Sequence, residues 1–178
     1  MISPLRSAVG LAERILKVNH AGEHGAVNIY AGQLFAARFT ARGLLDELAE
    51  FQSDERRHRS IFQVELQRRG VRRCRSYHLC GVGGFVLGFI TGLFGRGAIA
   101  ATTVAVERVV LRHLEHQLQL LGSVDADAVD AINAIVLEEQ RHHDRSAIHI
   151  RPSRIWIRVL MPVVAVSTET VIWLGMRL

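Results

Sequence analysis

A chain of 178 residues that is 49% hydrophobic and holds only three prolines has the material for one domain with a large core, which excludes bulk disorder. Its 22 Lys+Arg against 17 Asp+Glu leave a net charge of +5, nearly all of it from arginine. That balance suits anionic lipid, nucleic acid or an anionic cosubstrate without choosing among them. Two cysteines, Cys74 and Cys80, exclude a disulfide scaffold and read as reduced thiols. MISPLRSAVG at the N-terminus is not followed by an apolar run and a small-residue cleavage site, which argues against a secretory signal.

Apolar residues recur at helical spacing from about Leu11 to Arg42, with Ile15, Val18, Ile29, Leu34 and Phe35 on one broad face. Gly22, Gly25 and Gly32 weaken this helix but allow close packing against it. A second helix is predicted from Leu44 to Arg69, bounded by Gly43 and Gly70, with Leu48, Phe51, Glu55, His58, Phe62 and Leu66 as its inward stripe. Arg68, Arg69, Arg72, Arg73 and Arg75 follow, a basic cluster that reads as a solvated connection or a surface for anionic headgroups. The stretch from Leu79 to Val106 carries one charge, Arg96, and seven glycines from Gly81 to Gly97. It is expected as an apolar, membrane-dipping entrance that continues into a long helix ending near Leu121. Gly122 and Ser123 end that helix, and Asp125 or Asp127 caps the next, which spans Ala128 to Ile148. After a break at Pro152–Ser153, a final hydrophobic helix runs from Ile155 to Leu178, with Trp156, Trp173 and three arginines near its ends. Pro162 and Glu169 favour surface anchoring over a full membrane span.

The chemistry rests on spacing. Glu55-Arg-Arg-His58 and Glu139-Gln-Arg-His142 are both Glu-x-x-His, which sets carboxylate and imidazole on one helix face. One such motif is weak in a chain with nine histidines. Here each has a lone glutamate 32 residues upstream, Glu23 and Glu107, so the two halves repeat at 84 residues. Each half is then a helical hairpin that offers Glu from its first helix and Glu-x-x-His from its second. That is the inventory of a ferritin-like dinuclear carboxylate bundle, with Glu23, Glu55, His58, Glu107, Glu139 and His142 as candidate metal ligands. Oxygen-rich donors with imidazole suit iron or manganese better than a closed thiolate zinc site. Without metal, four carboxylates converging in a core would carry a severe desolvation and repulsion cost. Asp54 and Glu138 precede the motif glutamates. They are placed either to accept the distal ring N–H of a histidine on the other hairpin or to pair with Arg57 or Arg141. His20, His24, His113, His116, His143 and His149 lack comparable pairing and stay outside the ligand set.

These residues resemble the Coq7 family of membrane-associated di-iron hydroxylases. The likeness runs through Arg14 to Ala26 (RILKVNHAGEHGA), Ile29 to Gln33 (IYAGQ), Gly84 to Gly95, Ala101 to Glu107 (ATTVAVE) and Glu138 to Asp144 (EEQRHHD), and more loosely through Ile172-Trp173-Leu174. It implies an all-α, ferritin-like four-helix bundle with an additional C-terminal hydrophobic helix, formed by residues 1–178 as one domain with apolar membrane-associating segments near 79–106 and 155–178. It implies two iron ions per chain on the six ligands named above, with Glu23, Glu55, Glu107 and Glu139 as the catalytic carboxylates. The implied reaction is hydroxylation of a demethoxyubiquinol-type ring, with O₂ as oxidant, NADH as the reductant and a polyprenyl quinone as substrate in a hydrophobic tunnel. Peripheral attachment to the cytoplasmic side of the cell inner membrane, self-association or a ubiquinone-biosynthesis complex, and no nucleic-acid partner complete the expectation. Four positions depart from the family pattern: Asn19 for Asp, His24 for Tyr, Arg108 for an acidic residue, and Leu114 after His113, where many members have Tyr. Tyr30 is a neighbouring phenol that could compensate for the last.

Other readings keep the same ligands: a related di-iron monooxygenase or oxidase on another lipid-like substrate, or ferritin-like metal storage, against which the apolar third helix argues. Scattered basic residues and few aromatics make a nucleic-acid module the weakest reading.

Overall fold

The computed structural model describes residues 4–150 and 155–177. Six α-helices follow one another: α1 (Pro4–Thr40), α2 (Leu45–Arg68), α3 (Tyr77–Leu93), α4 (Arg96–Leu121), α5 (Ala126–Ala147) and α6 (Ile155–Gly175). One turn of 3-10 helix, Arg42–Leu44, joins α1 to α2, and no strand occurs among the described residues. The all-α bundle with an added C-terminal hydrophobic helix is therefore present. The break expected at Pro152–Ser153 lies outside the described residues.

Two hairpins, α1–α2 and α4–α5, pack against each other through α2 and α5 and through α1 and α4. All six residues of the predicted α2 stripe are buried. One apolar cluster joins Ile15, Leu16, Phe62, Leu66, Leu114, Leu121, Ile132 and Ile135 from all four helices. A second joins Tyr30, Ala37, Leu44, Leu48, Phe51 and Ile99. Along α1, α2 and α4 the acidic ligand candidates fall between these clusters, so both flanks of the polar layer are apolar. Phe35 departs from the face expected of it: it is exposed and sits beside Phe89 of α3.

Asp125 is the cap of α5, its Oδ1 accepting from the backbone N–H of Ala128 at 3.1 Å. Arg69, just past the end of α2, donates to both oxygens of Asp125 at 2.5 and 2.8 Å and to Glu65 at 2.7 Å. One guanidinium thereby ties the two hairpins at that end of the bundle. A reciprocal amide pair ties α1 to α4: Asn19 donates to Gln117 at 2.8 Å and Gln117 donates back at 3.0 Å.

The expected apolar entrance into the third bundle helix is in fact a separate helix, α3. Gly95 breaks the run at φ +78, a left-handed conformation that costs a side-chain-bearing residue but not glycine. Thr40 Oγ1 at the end of α1 holds the end of α3 by donating to the Gly92 carbonyl at 2.6 Å. α3 turns Gly81, Gly84, Gly88 and Gly92 inward: a Cβ at Gly84 would overlap the Gly25 carbonyl, and one at Gly88 the Ile29 carbonyl. Its large side chains, Leu79, Val82, Phe85, Val86, Ile90 and Leu93, are left outward and exposed. α6 packs on α4 and α1 by a narrow strip and exposes Val159, Val163, Val166, Val171, Trp173 and Leu174. Its one acid, Glu169, is held by Arg112 and by His113 Nε2, the latter at 2.7 Å.

Two measurements check this packing. Gly88→Ala is expected to lower unfolding free energy by about 1–3 kcal/mol, because backbone, not a flexible side chain, stands in the way. Gly83→Ala on the same helix, with open space around it, is expected to raise stability by roughly 0.5–1 kcal/mol; urea unfolding of the pair reads the contrast. Asp125→Ala should cost about 1–2 kcal/mol at pH 7, after allowing for solvent screening of the ion pair. The Arg69 guanidinium holds the Asp125 carboxyl below the usual carboxylate range. Its contribution is therefore full above the unfolded-state pKa and disappears as pH falls through the lower folded value. The difference between variant and parent should shrink accordingly in acid.

Candidate metal centre

The mid-portions of α1, α2, α4 and α5 bring Glu23, Glu55, His58, Glu107, Glu139 and His142 into one buried layer. Glu23, Glu55, His58 and Glu139 each direct a donor atom into a group whose members lie within 4.8 Å of one another. Glu55, Glu107, Glu139 and His142 form a second such group, so Glu55 and Glu139 belong to both. All six residues singled out by the two-fold repeat thus meet in space, and the other seven histidines belong to neither group.

The two imidazoles are oriented from the opposite hairpin. His58 Nε2 on α2 meets Glu138 Oε2 on α5 at 2.7 Å, and His142 Nε2 on α5 meets Asp54 Oδ2 on α2 at 3.1 Å. Both arrangements open to Asp54 and Glu138 are present: each meets a histidine of the opposite hairpin, and arginines pair with them as well. Glu138 in addition holds Arg57 and, at 3.0 Å, Arg141. With Nε2 engaged outward, each Nδ1 faces the layer: His58 Nδ1 lies 2.8 Å from Glu139 Oε1, and His142 Nδ1 lies 3.1 Å from Glu55 Oε1. These are contacts at ion-pair distance without hydrogen-bond alignment, since both Nδ1 atoms, both Glu55 oxygens and Glu139 Oε1 lack a hydrogen-bond partner. Buried polar atoms in native proteins are nearly always satisfied. A set of orphaned lone pairs converging from α2 and α5, with Glu23 and Glu107 brought beside them by α1 and α4, fits divalent cations bound among them.

Electrostatics point the same way. Burial, then Glu55 and Glu139 as neighbours, raises the Glu23 carboxyl well above its ordinary value. Burial and then Glu139 do the same to Glu107. Burial also pushes Glu55 up, but its contacts with His142 and His58 more than offset this and hold it at about 2. Burial pulls His58 down, and Glu139 with Glu55 overcomes it, raising the imidazole to about 9. His142 is likewise raised against burial, chiefly by Glu55. The layer therefore retains positive charge and protons wherever it can, which is the demand a pair of divalent cations would meet.

Tyr30 is the neighbour that spacing alone did not assign. It lies two helical turns after Glu23 on the same face of α1, and its buried hydroxyl donates to Glu107 Oε1 at 3.2 Å. The i,i+7 relation to Glu23 was the available signal. Gln33 and Thr103, both buried with unpartnered side-chain atoms, gave no such signal. Leu114 is 2% exposed and belongs to the apolar cluster, so the departure at this position is an interior one. Arg108 faces outward on α4.

Glu55→Gln removes the carboxylate that both imidazoles face and is expected to destabilise the metal-free protein by about 3 kcal/mol. Glu107→Gln keeps the shape and acceptor while relieving repulsion, so its metal-free stability should equal or exceed the parent's. Urea titration after chelation measures both.

Residues 10–175 match a family described as "Ubiquinone biosynthesis protein COQ7". A Dictyostelium discoideum protein named "NADPH-dependent 3-demethoxyubiquinone 3-hydroxylase, mitochondrial" is 34% identical over 170 residues, covering 94% of this chain and 77% of its own. The human protein of the same name is 31% identical over 170 residues, 93% of this chain and 77% of its own. A Rhodospirillum rubrum "3-demethoxyubiquinol 3-hydroxylase" is 34% identical over 140 residues, 78% of this chain and 65% of its own.

Proposed function

The chain belongs to the COQ7 family of ubiquinone-biosynthesis proteins, and from that premise we propose that it is a di-iron monooxygenase that hydroxylates a demethoxyubiquinol-type ring with O₂. The observation that carries the reading is the pair of overlapping four-residue donor groups that share Glu55 and Glu139. Glu23, Glu55, Glu139 and His58 would hold one iron, and Glu55, Glu139, Glu107 and His142 the other. The donor chemistry, four carboxylates and two imidazoles, fits iron or manganese, and the family's chemistry selects iron. When bound, the two irons supply the activation of O₂ and the transfer of one oxygen atom to the ring.

The chain's own residues set the conditions. Glu138 and Asp54 hold the Nε2 side of His58 and His142 and keep each Nδ1 turned inward. Tyr30 fixes the Glu107 carboxylate by donating to Oε1. Phe51, Leu48, Phe62 and Ile135, fully or nearly fully buried, keep bulk water from the layer. A polyprenyl quinone is mostly hydrocarbon, and the outward apolar faces of α3 and α6 are where such a tail would leave water. Residues 157–175 of α6 are long and apolar enough to cross a bilayer. The grip of Arg112 and His113 on Glu169 instead holds the helix along α4. That favours a peripheral position on a membrane face, which we assign to the cytoplasmic side of the cell inner membrane. Exposed apolar faces of this extent also favour a lipid-like substrate over metal storage.

The test is reconstitution with Fe(II), iron counted per chain, then conversion of a demethoxyubiquinol with O₂. NADH and NADPH are supplied in parallel, because the eukaryotic relatives are named for NADPH. Hydroxylated product, identified by mass at about two irons per chain, is the expected result. Glu139→Ala should lose both iron and turnover, and Glu138→Gln should weaken iron binding by roughly 10–100-fold. A Glu139→Ala protein that binds two irons and turns over normally would reject the assignment.

A further inference from the structure

Away from the carboxylate layer, the junction of α1, α2 and the start of α3 gathers cations without acids. Arg59 of α2 donates to His24 Nδ1 at 3.3 Å, and Arg73, in the connection before α3, donates to His78 Nε2 at 3.0 Å. Elsewhere Arg57, Arg69, Arg112, Arg141 and Arg145 all find carboxylates. Among the described residues Arg59 and Arg73 have none within ion-pair distance, and their donors end on neutral imidazole nitrogens. A stacked set of rings holds the cluster together. Tyr77 lies parallel to His24 at 3.9 Å, carries the Arg73 guanidinium over its face at 4.8 Å, and stacks with His20 at 4.9 Å. His20 is buried and neither of its ring nitrogens has a partner.

A cleft of about 320 Å³ opens beside this cluster. His24, Asn28 and His78 form its polar wall, and Val82, Phe85 and Val86 of α3 form the other. Those three apolar residues belong to the exposed stripe of α3 that continues through Leu79 and Ile90. Arg59 and Arg73 stand one side chain back from the cleft, donating to the His24 and His78 of its polar wall, and exposed hydrocarbon forms the other side; the combination suits an amphiphile with an anionic head. Arginine's fork of donors matches phosphate oxygens, and each arginine here keeps donors that no carboxylate takes up.

We propose that this cleft binds the phosphate group of an anionic amphiphile, with Arg59 and Arg73 on the phosphate and Val82, Phe85 and Val86 along its hydrocarbon. The ligand is a membrane phospholipid, with its headgroup phosphate toward the two arginines and its chain along α3. The site would orient the protein on a bilayer rather than merely attract it there, because the charge is held in place beside one helix. It makes no use of the metal ligands and stands whether or not the ring hydroxylation does.

The experiment is co-sedimentation of the iron-loaded full chain with vesicles of phosphatidylglycerol in phosphatidylcholine, against phosphatidylcholine alone. Arg59→Gln/Arg73→Gln is expected to weaken binding to the anionic vesicles by roughly thirtyfold, with iron content and helicity unchanged. Arg56→Gln/Arg108→Gln removes the same charge from exposed positions on α2 and α4 and should weaken binding by less than about threefold. Val82→Asp, on the exposed apolar wall, should also reduce binding, by about tenfold. Inorganic phosphate exchanged for chloride at equal ionic strength separates the sources. Retention of the parent protein is the expected result for a headgroup held with its chain, and release would overturn the amphiphile in favour of phosphate alone. Equal losses in the two double variants, or no loss in Arg59→Gln/Arg73→Gln, would overturn the proposal.

Discussion

Four carboxylates buried in one layer of a helical bundle set the terms for the rest of this protein. Burial and mutual repulsion both oppose their ionisation. The two imidazoles among them are the only counter-charges that the six-residue layer itself contains. Each imidazole is aimed by an acid on the opposite hairpin, His58 by Glu138 and His142 by Asp54. The hairpins are thus joined by the same contacts that orient the donor atoms. Apolar clusters on both sides of the layer keep water out and sharpen every interaction inside it. Cations bound in such a layer would relieve that repulsion, which would link metal binding to stability.

The two helices outside the bundle reverse the usual amphipathic rule. α3 buries glycine and exposes phenylalanine, valine, leucine and isoleucine. The cause is the closeness of α1: at Gly84 and Gly88 the neighbouring carbonyls leave no room for a Cβ. Large side chains can then only point away. α6 reaches the same outcome through a narrow contact strip that leaves most of its length uncovered. Together they give the bundle an apolar exterior on a protein whose core is already complete, the arrangement expected where hydrocarbon replaces water. Val164, Leu160 and Met161 pack on Ala105 and Val106 to lay α6 along α4, and Arg112, His113 and Glu169 pin it there.

The departures from the family pattern fall in different physical settings. Asn19 makes a reciprocal amide pair with Gln117, an arrangement that a carboxylate could not form with both of its atoms accepting. His24 stacks on Tyr77 and accepts from Arg59. Leu114 fills the apolar cluster that all four bundle helices share, while Tyr30 supplies a phenol beside Glu107 from the other side of the layer.

Local pattern was enough for much of this. Helical spacing identified the α2 stripe residue by residue, and the 84-residue repeat identified six side chains that do meet, because i,i+3 and i,i+4 relations follow from helix geometry alone. The Asp125 cap was legible as one of two candidates for the same reason. Tertiary structure decided the rest. It made α3 an independent helix, since a single left-handed glycine and a contact from Thr40 ended a run that hydropathy read as continuous. It turned Phe35 outward, gave Tyr30 its carboxylate and brought Glu138 and Asp54 to the histidines of the opposite hairpin as well as to arginines. It also left Arg59 and Arg73 without acids. Each of those outcomes depends on which residues distant in the chain arrive at the same place, and periodicity along a single helix carries no information about that.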